Sequence, residues 1–461
     1  MCGILGGNKF ESIDNIQYGL SSIVHRGMDN NTIFSFDNRM YLSHNRLSIQ
    51  DLHEVANQPM VSDDSRYYLV FNGELWKSSF DKFDKKLRKL YNFKTEKSDT
   101  ELLLYYLIHN IENIGRSLRE LDGMFAFSLY DKQTDTTYLG RDFIGRMPLY
   151  YHYDGERFGF CSEAKGLLVG CDTPYYKIDV KSKYHKMADV KDKETIYPVL
   201  PGHIIKFKPH PFIHDSYEME EEVWYTFKDN YDKDNQSYYT RDEEQFRHFE
   251  SEDKGLDYYI DGFRDVLNDA VDNELISDVP VCTILSGGID STIITWLLSK
   301  KLPNIEAFVV NVNPIRKSKY KDDLYYARMA AKEFGIKLHE VNVDREDIEK
   351  RLSESIWASE TFKWTQVSPA VAQLFLAEEI QKQGFKVVFG GEGADEIFAS
   401  YGDVKRFCWN EPLHWHQKRV NLLNGLHKSN LVRTNKSMMY GGTVELRTPF
   451  LNKEVIDFGL R

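Results

Sequence analysis

At 461 residues, with 41% apolar and 28% charged side chains, the chain is long enough for two or three packed domains. Its net charge of −12 and the absence of basic clusters exclude a nucleic-acid or anionic membrane surface as the main partner. No apolar run reaches the length of a bilayer span, no secretory leader precedes Cys2, and Cys2, Cys161, Cys171, Cys282 and Cys408 show neither metal-type nor paired spacing, so a cytoplasmic protein is expected.

The first half reads as β-rich alternation from Cys2 to about Phe207, with a helix near residues 102–108. Met1-Cys2-Gly3-Ile4-Leu5-Gly6 places a cysteine directly after the initiator. Removal of Met1 would leave an α-amino group titrating near ~8 beside a thiol near ~8.5, so nucleophile and base would share one residue. The alternative is a small apolar residue opening a strand. Polar clusters follow at His25-Arg26-Gly27-Met28-Asp29, His44-Asn45-Arg46-Leu47-Ser48-Ile49, Phe71-Asn72-Gly73-Glu74 and Ser98-Asp99-Thr100-Glu101, the last opening a helix. Asn72-Gly73 by itself reads as a hairpin turn.

Residues 209–254 are polar and charge-dense, including Glu220-Glu221-Glu222 and Arg241-Asp242-Glu243-Glu244, and read as a linker and surface insertion. Helical spacing resumes at residues 258–267, and strands alternating with helices then predict a doubly wound parallel sheet. Within it, the β-prone run at 279–285 meets the helical spacing at 292–298 through Leu285-Ser286-Gly287-Gly288-Ile289-Asp290-Ser291. Gly287 and Gly288 let backbone N–H groups approach phosphate oxygens, the helix N-terminus favours negative charge, and the Ser286 and Ser291 hydroxyls add donors. Asp290 would repel phosphate unless a divalent cation lay between them, which makes it a candidate Mg²⁺ ligand. The competing reading is an ordinary glycine-rich turn.

These clusters, with Gly123-Met124-Phe125-Ala126-Phe127, Gly140-Arg141-Asp142 and Gly145-Arg146-Met147-Pro148-Leu149-Tyr150, resemble the class II, N-terminal nucleophile, glutamine amidotransferase domain. The Ser286–Ser291 loop and Gly390-Gly391-Glu392-Gly393-Ala394-Asp395-Glu396 resemble the ATP-pyrophosphatase domain. Both in that order are similar to the glutamine-hydrolysing asparagine synthetase family. The resemblance implies an αββα sandwich over residues 1–208, the linker at 209–254, and an ATP-pyrophosphatase domain at 255–461. It implies Cys2 as nucleophile, Asn72 and Gly73 as oxyanion donors, Arg46 on the glutamine α-carboxylate, and Asp99 with Glu74 on the α-ammonium, with Leu47 and Ile49 beside them. ATP is expected against Leu285, Ser286, Gly287, Gly288, Asp290, Ser291, Val310, Gly390 and Gly391. Asp290 and Asp395 are the implied Mg²⁺ ligands, and Glu392 is the carboxylate that serves the acyl-adenylate and the incoming ammonia. Arg26 and Asp29 are assigned to structure around the first site.

The chain departs from the family where the acceptor would bind. Relatives carry aspartate, threonine and arginine where this sequence has Lys363, Gln366 and Ser368. The exchange removes a planar anion clamp and reverses a charge. Gly390 replaces a serine of the pyrophosphate site. Glu445-Leu446-Arg447-Thr448-Pro449-Phe450-Leu451-Asn452 resembles a motif that relatives follow with a region carrying a phosphate-neutralising lysine. Here Lys436, Lys453 or a second chain is the expected source of that charge. Three readings stay open: amidation of aspartate through β-aspartyl-AMP, amidation of another carboxylate, and a glutaminase subunit whose ATP half is scaffold. A homodimer or a second chain is the expected assembly.

Overall fold

A computed structural model describes residues 1–37, 39–171, 177–178, 195–214, 216–227, 231–232, 237–238, 254–312, 323–401 and 412–460. Its first half is built from two sheets. One orders its strands Lys177–Ile178, Thr195–Pro198, Tyr150–Tyr153, Phe158–Cys161, Gly3–Gly7, Met40–Arg46 and Asn30–Phe36, antiparallel except for the first pair. The other runs Tyr217–Val223, His203–Pro209, Thr136–Arg141, Gly123–Asp131, Tyr67–Leu75 and Met60–Val61, antiparallel throughout.

Alternation of side chains explains how the layers stack, because successive strand residues face opposite sides. Ile4, Leu42, Val70, Ala126 and Leu139 meet between the two sheets. Leu5, Tyr41 and Cys161 face outward onto Ile16, Leu20 and Leu167 of the helices Ile13–Ser22 and Ala164–Gly170. Leu69, Phe71, Phe125 and Phe127 face outward onto Phe83, Leu103 and Leu107 of the helices Lys77–Leu87 and Asp99–His109. The result is the αββα sandwich implied by the resemblance, an α/β architecture with the second half described below.

The linker reading of 209–254 fails for its first third. Tyr217–Val223 is the edge strand of the second sheet, with Tyr217 and Met219 buried against the core. Its charge run is not a solvated tether, since Glu218 and Glu220 stand across from Lys208 and Lys206 and pair with them, while Glu221, opposite Ile205, pairs diagonally with His203. Cross-strand opposite charges support the register, a signal that composition alone conceals. Arg241, Asp242, Glu243 and Glu244, like Cys408, lie outside the described residues.

The second half carries a parallel sheet ordered Lys337–Val343, Glu306–Val312, Val281–Ile284, Val387–Phe389, Glu445–Arg447. The helices Leu256–Glu274, Ile289–Lys301 and Asp323–Phe334 contribute Val271, Ile294 and Ala327 to packing against it, and Trp364–Lys382 and Asn430–Gly442 contribute Leu376, Ala377 and Met438. Helices on both faces explain the apolar runs of the inner strands Val281–Ile284 and Val387–Phe389, whereas the edge strand Lys337–Val343 carries Lys337, His339, Glu340 and Asn342. Strand order reverses between Val281–Ile284 and Val387–Phe389, and open α/β sheets bind ligands at the carboxyl ends of such a switch. No helix among the described residues is long and apolar enough to cross a membrane.

The halves share one apolar cluster that runs from Ile4 and Val70 to Leu267, Ile294 and Phe450. Buried charge also crosses between them. Arg146 Nη1 pairs with Glu274 Oε1 at 2.9 Å, Arg146 Nη2 donates to Thr448 O at 3.0 Å, and Lys165 N donates to Glu360 Oε1 at 2.7 Å. Breaking a buried pair leaves an uncompensated charge. Arg146→Met is therefore expected to lower unfolding free energy by about 3–5 kcal/mol, read in urea by tryptophan fluorescence. Arg264→Met, at an exposed pair with Asp261, should cost under about 1 kcal/mol.

Candidate active sites

Cys2 leads into the strand Gly3–Gly7 at the centre of the first sheet, and the chain packs around it from several elements. Its carbonyl accepts from Arg26 Nε at 2.9 Å, and its thiol faces Leu47 O at 3.8 Å. Gly27 passes so close to Arg46 and Asn45 that any Cβ would strike their backbone. Burial pushes the Cys2 thiol pKa up, against the pull of the N-terminal ammonium and Arg46. Arg26 also pairs with Glu163 Oε1 at 2.7 Å, and Asp29 accepts from Ser48 N and Lys386 Nζ at 2.7 Å each. Both therefore brace the site, as the sequence reading assigns them.

Asn72 and Gly73 are not a turn. They lie inside the strand Tyr67–Leu75, opposite Ala126 and Phe125. Gly73 has φ +152°, and a Cβ there would drive into Met124 O, so glycine is required. The Asn72 amide is fully buried, and neither its nitrogen nor its oxygen has a hydrogen-bond partner. Orphaned buried amides are rare and costly, and one aimed at a substrate atom is a standing explanation.

Glu74 and Asp99 are buried near one another. Asp99 opens the helix Asp99–His109 and accepts from Leu75 N at 3.2 Å, while Glu74 accepts from Gln50 Nε2. Burial raises both pKa values, with Glu445 adding to each: Glu74 well above the carboxylate range, Asp99 to about 6. Arg447 and the terminal ammonium oppose that rise at Glu74, so two acids share a buried space that further positive charge would favour. Arg46 is buried, its guanidinium donating to His53 O at 2.9 Å, Asn57 Oδ1 at 2.7 Å and Asp51 O. A cleft of about 320 Å³ between the halves reaches Arg46, with Asp29, Val279 and Lys386 among its walls. Leu47 and Ile49 are buried, and Ile49 O accepts from Asp278 N of the second half.

The second constellation forms where two loops abut at the switch point. Leu285 N donates to Phe308 O at 2.9 Å, tying the end of one strand to its neighbour, the strand that carries Val310. Ser291 Oγ accepts from Ser286 N at 3.1 Å and lies 2.9 Å from Ser286 Oγ, while Gly287 takes φ +86°. A Cβ on Gly391 would lie 2.7 Å from Ser291 N, so the Gly390-Gly391-Glu392 loop touches the first loop backbone to backbone. Asp290 and Asp395 come from opposite sides: burial raises the Asp290 pKa, with Asp395 adding to it. Facing carboxylates with no cation fit a Mg²⁺ ion that takes its other ligands from phosphate and water.

Glu392 Oε2 is buried without a hydrogen-bond partner. Burial raises its pKa, opposed by Arg433 and reinforced by Glu396 and Asp290. Lys436, one of the cations weighed from sequence, is instead committed to Glu360 and to Tyr150 Oη at 2.9 Å, and Lys453 lies over the Tyr225 ring. Arg433, one helical turn before Lys436, is the cation that acts on Glu392. Sequence reading missed it, and also Gln50 and Glu445. The available signal was Arg433 three positions before Lys436, a spacing that puts both on one face of a helix.

In the acceptor segment, Gln366 Nε2 donates to Lys428 O at 2.9 Å, and Lys363 is exposed. Phe362 is 87% and Trp364 65% exposed, well beyond what core residues show.

Residues 1–218 match the glutamine amidotransferase domain and residues 262–421 the asparagine synthase domain. The chain is 30% identical to asparagine synthetase B [glutamine-hydrolyzing] of Escherichia coli, over 95% of this chain and 70% of that protein. It is 31% identical to a probable asparagine synthetase [glutamine-hydrolyzing] of Schizosaccharomyces pombe, over 100% and 76%. It is also 28% identical to amidase chry2 of Gibberella zeae, over 89% and 59%. Both domain matches in that order on one chain, with relatives of this kind matching 95–100% of it, place it as an ATP-dependent amidotransferase: the chain belongs to the glutamine-hydrolysing asparagine synthetase family.

Proposed function

We propose that the chain makes asparagine: ammonia released from glutamine at Cys2 attacks a β-aspartyl-AMP formed from aspartate and ATP at the Ser286–Ser291 loop. The observation that supports the glutamine half of this reading most is the unpartnered, fully buried Asn72 amide. Once Met1 is removed, the Cys2 thiol attacks the glutamine side-chain carbonyl, and its proton passes to the Cys2 amino group. Asn72 Nδ2 and Gly73 N–H donate to the developing oxyanion. Asp99 and Glu74 hold the α-ammonium, and Arg46 the α-carboxylate, after exchanging its present acceptors. The thioester is hydrolysed to glutamate.

In the second site, Ser286, Gly287, Gly288 and Ser291 present donors to the pyrophosphate, Leu285 and Val310 border the adenosine, and Gly390 and Gly391 close the other side. Asp290 and Asp395 would hold Mg²⁺, which would neutralise phosphate charge during adenylation. Glu392, whose pKa burial raises against the pull of Arg433, accepts a proton from ammonia as it attacks. A closed path for ammonia between the halves follows from its chemistry, since protonation would end its nucleophilicity. Among the described residues, Cys2, Cys161, Cys171 and Cys282 are free and buried, which goes with a reducing, cytoplasmic setting.

A second reading keeps both sites and changes the acceptor. Lys363 in place of an acid, with exposed Phe362 and Trp364 beside it, suits a carboxylate larger or more apolar than aspartate. The relative named as an amidase is consistent with acceptor change within the family.

The deciding assay supplies the full chain with glutamine or ammonia, ATP·Mg²⁺, and aspartate beside a panel of carboxylates, following glutamate, pyrophosphate and amide together. Asparagine formed one-for-one with pyrophosphate is the expected result; another amide selects the second reading, and glutamate without pyrophosphate sinks both. Asn72→Ala should cut glutamine-dependent kcat by about 10²–10³ while leaving the ammonia-dependent reaction intact. The glutamine KM should rise about tenfold per pH unit as pH falls below 6, because Asp99, pushed up to about 6 by burial, must be ionised to hold an ammonium. Gly391→Ala, whose Cβ enters the loop contact at Ser291 N, should abolish the thermal shift produced by ATP·Mg²⁺ and leave glutaminase activity unchanged.

A further inference from the structure

One carboxylate near the first site comes from the wrong half of the molecule. Glu445 and Arg447 lie two apart on the edge strand Glu445–Arg447 of the parallel sheet, so they share a face. Both are fully buried. Arg447 Nε donates to Glu445 Oε1 at 2.9 Å, and Arg447 Nη1 donates to Ile276 O at 2.7 Å. The Arg447 guanidinium lies 5.3 Å from the centre of the Trp76 ring, two residues beyond Glu74. The pair thus projects from the synthetase sheet against the strand that carries Asn72, Gly73 and Glu74. The other oxygen, Glu445 Oε2, takes the ammonium of Met1 at 3.1 Å, with both groups fully buried.

We propose that Glu445 is a positioning residue for glutamine hydrolysis: a carboxylate supplied by the synthetase half that holds the amino terminus bearing Cys2, so that the nucleophile is set only when the two halves are docked. The inference rests on the Cys2 reading above. Removing Met1 moves the amino group one residue along, at most about 3.8 Å, onto Cys2 itself, where as a free amine it donates a hydrogen bond to Glu445 and keeps its lone pair for the thiol proton. Arg26 Nε already holds the Cys2 carbonyl at 2.9 Å. Glu445 at the amino end and Arg26 at the carbonyl end then fix both sides of the residue whose thiol must meet the substrate. Position matters because misplacement of a reacting atom by about 1 Å costs up to ~10²-fold in rate. The charge is available: burial works to raise the Glu445 pKa, but the terminal ammonium and Arg447 override it and hold it below the ordinary range. Its other charged neighbours, Glu74 and Asp99, are acids that repel its charge, so the terminal ammonium and Arg447 are what keep it ionised.

The test uses the full chain as wild type, Cys2→Ala, Glu445→Gln and Glu445→Asp, with intact mass confirming loss of Met1 in each. Glutamate release is measured against glutamine concentration, with melting temperatures alongside. The expected result for Glu445→Gln is a kcat lower by about 10- to 100-fold with glutamine KM within about threefold. Glu445→Asp, which keeps the charge one methylene short, should recover part of that loss. An unchanged kcat overturns the inference. So does a raised KM at constant kcat, which would assign the carboxylate to the substrate's amino group, or equal losses in both variants that follow their melting temperatures. If Glu445→Gln does not fold, the same kcat-against-KM split in Glu445→Asp decides. Wild-type glutamate release no faster than that of Cys2→Ala overturns the Cys2 reading and this inference together; an active wild type with an unaffected Glu445→Gln overturns the inference alone.

Discussion

The start of the chain is buried at the seam between the two halves, and the rest of the molecule is arranged around that burial. A terminal ammonium, a thiol and the backbone of a central strand all leave water there. Each must then find a partner or accept a displaced protonation state. The ammonium finds Glu445, the Cys2 carbonyl finds Arg26, and the thiol has only the Leu47 carbonyl at long range. The thiol is accordingly the group whose charge burial disfavours. An amine at the same residue is a natural way to remove its proton.

Charge recurs along the seam in a form that apolar packing would not need. Arg146 with Glu274 and the Met1 ammonium with Glu445 cross it as buried pairs, and Lys436, paired with Glu360 within the second half, reaches Tyr150 Oη across it. Such pairs add little stability over a well-packed apolar contact, but they are intolerant of misalignment, because a shifted partner leaves a bare charge. A seam held this way fixes one docking geometry rather than a family of them, and the shared apolar cluster supplies the attraction. Glu360 illustrates the double duty of these residues. It ends the helix Leu352–Ser359 in the left-handed region at φ +53°, accepts the Ala164 and Lys165 N–H groups of the first half, and opens the acceptor segment.

The two sites are unequal in how far their polar groups are satisfied. Around Ser286 and Ser291 the hydroxyls bond one another and the loop backbone, a lattice that holds its shape before any phosphate arrives. Asn72, Glu392 Oε2, and the pair Glu74 and Asp99 are buried and either unpartnered or pushed toward neutrality. Each costs folding free energy where it stands, and the proposed reading gives that cost a ligand to offset it.

Local pattern was enough to read the β-rich first half, the parallel sheet and the strand–loop–helix setting of the Ser286–Ser291 glycine loop, because strand alternation, helix spacing and the need for a Cβ-free approach act between near neighbours in sequence; the αββα sandwich and a nucleophile role for Cys2 came from the family resemblance. Asn72-Gly73 shows the limit of that legibility: the dipeptide has turn chemistry, yet strand pairing with Phe125 and Ala126 places it mid-strand. Tyr217–Val223 shows it again, since a run of glutamates looks solvated until lysines stand opposite. Arg433 acting on Glu392, Lys436 turned to Glu360, and Glu445 reaching the amino terminus were decided only by the tertiary structure. Each depends on segments tens to hundreds of residues apart meeting in a low-dielectric interior, and neither composition nor periodicity carries the information about which buried charge faces which.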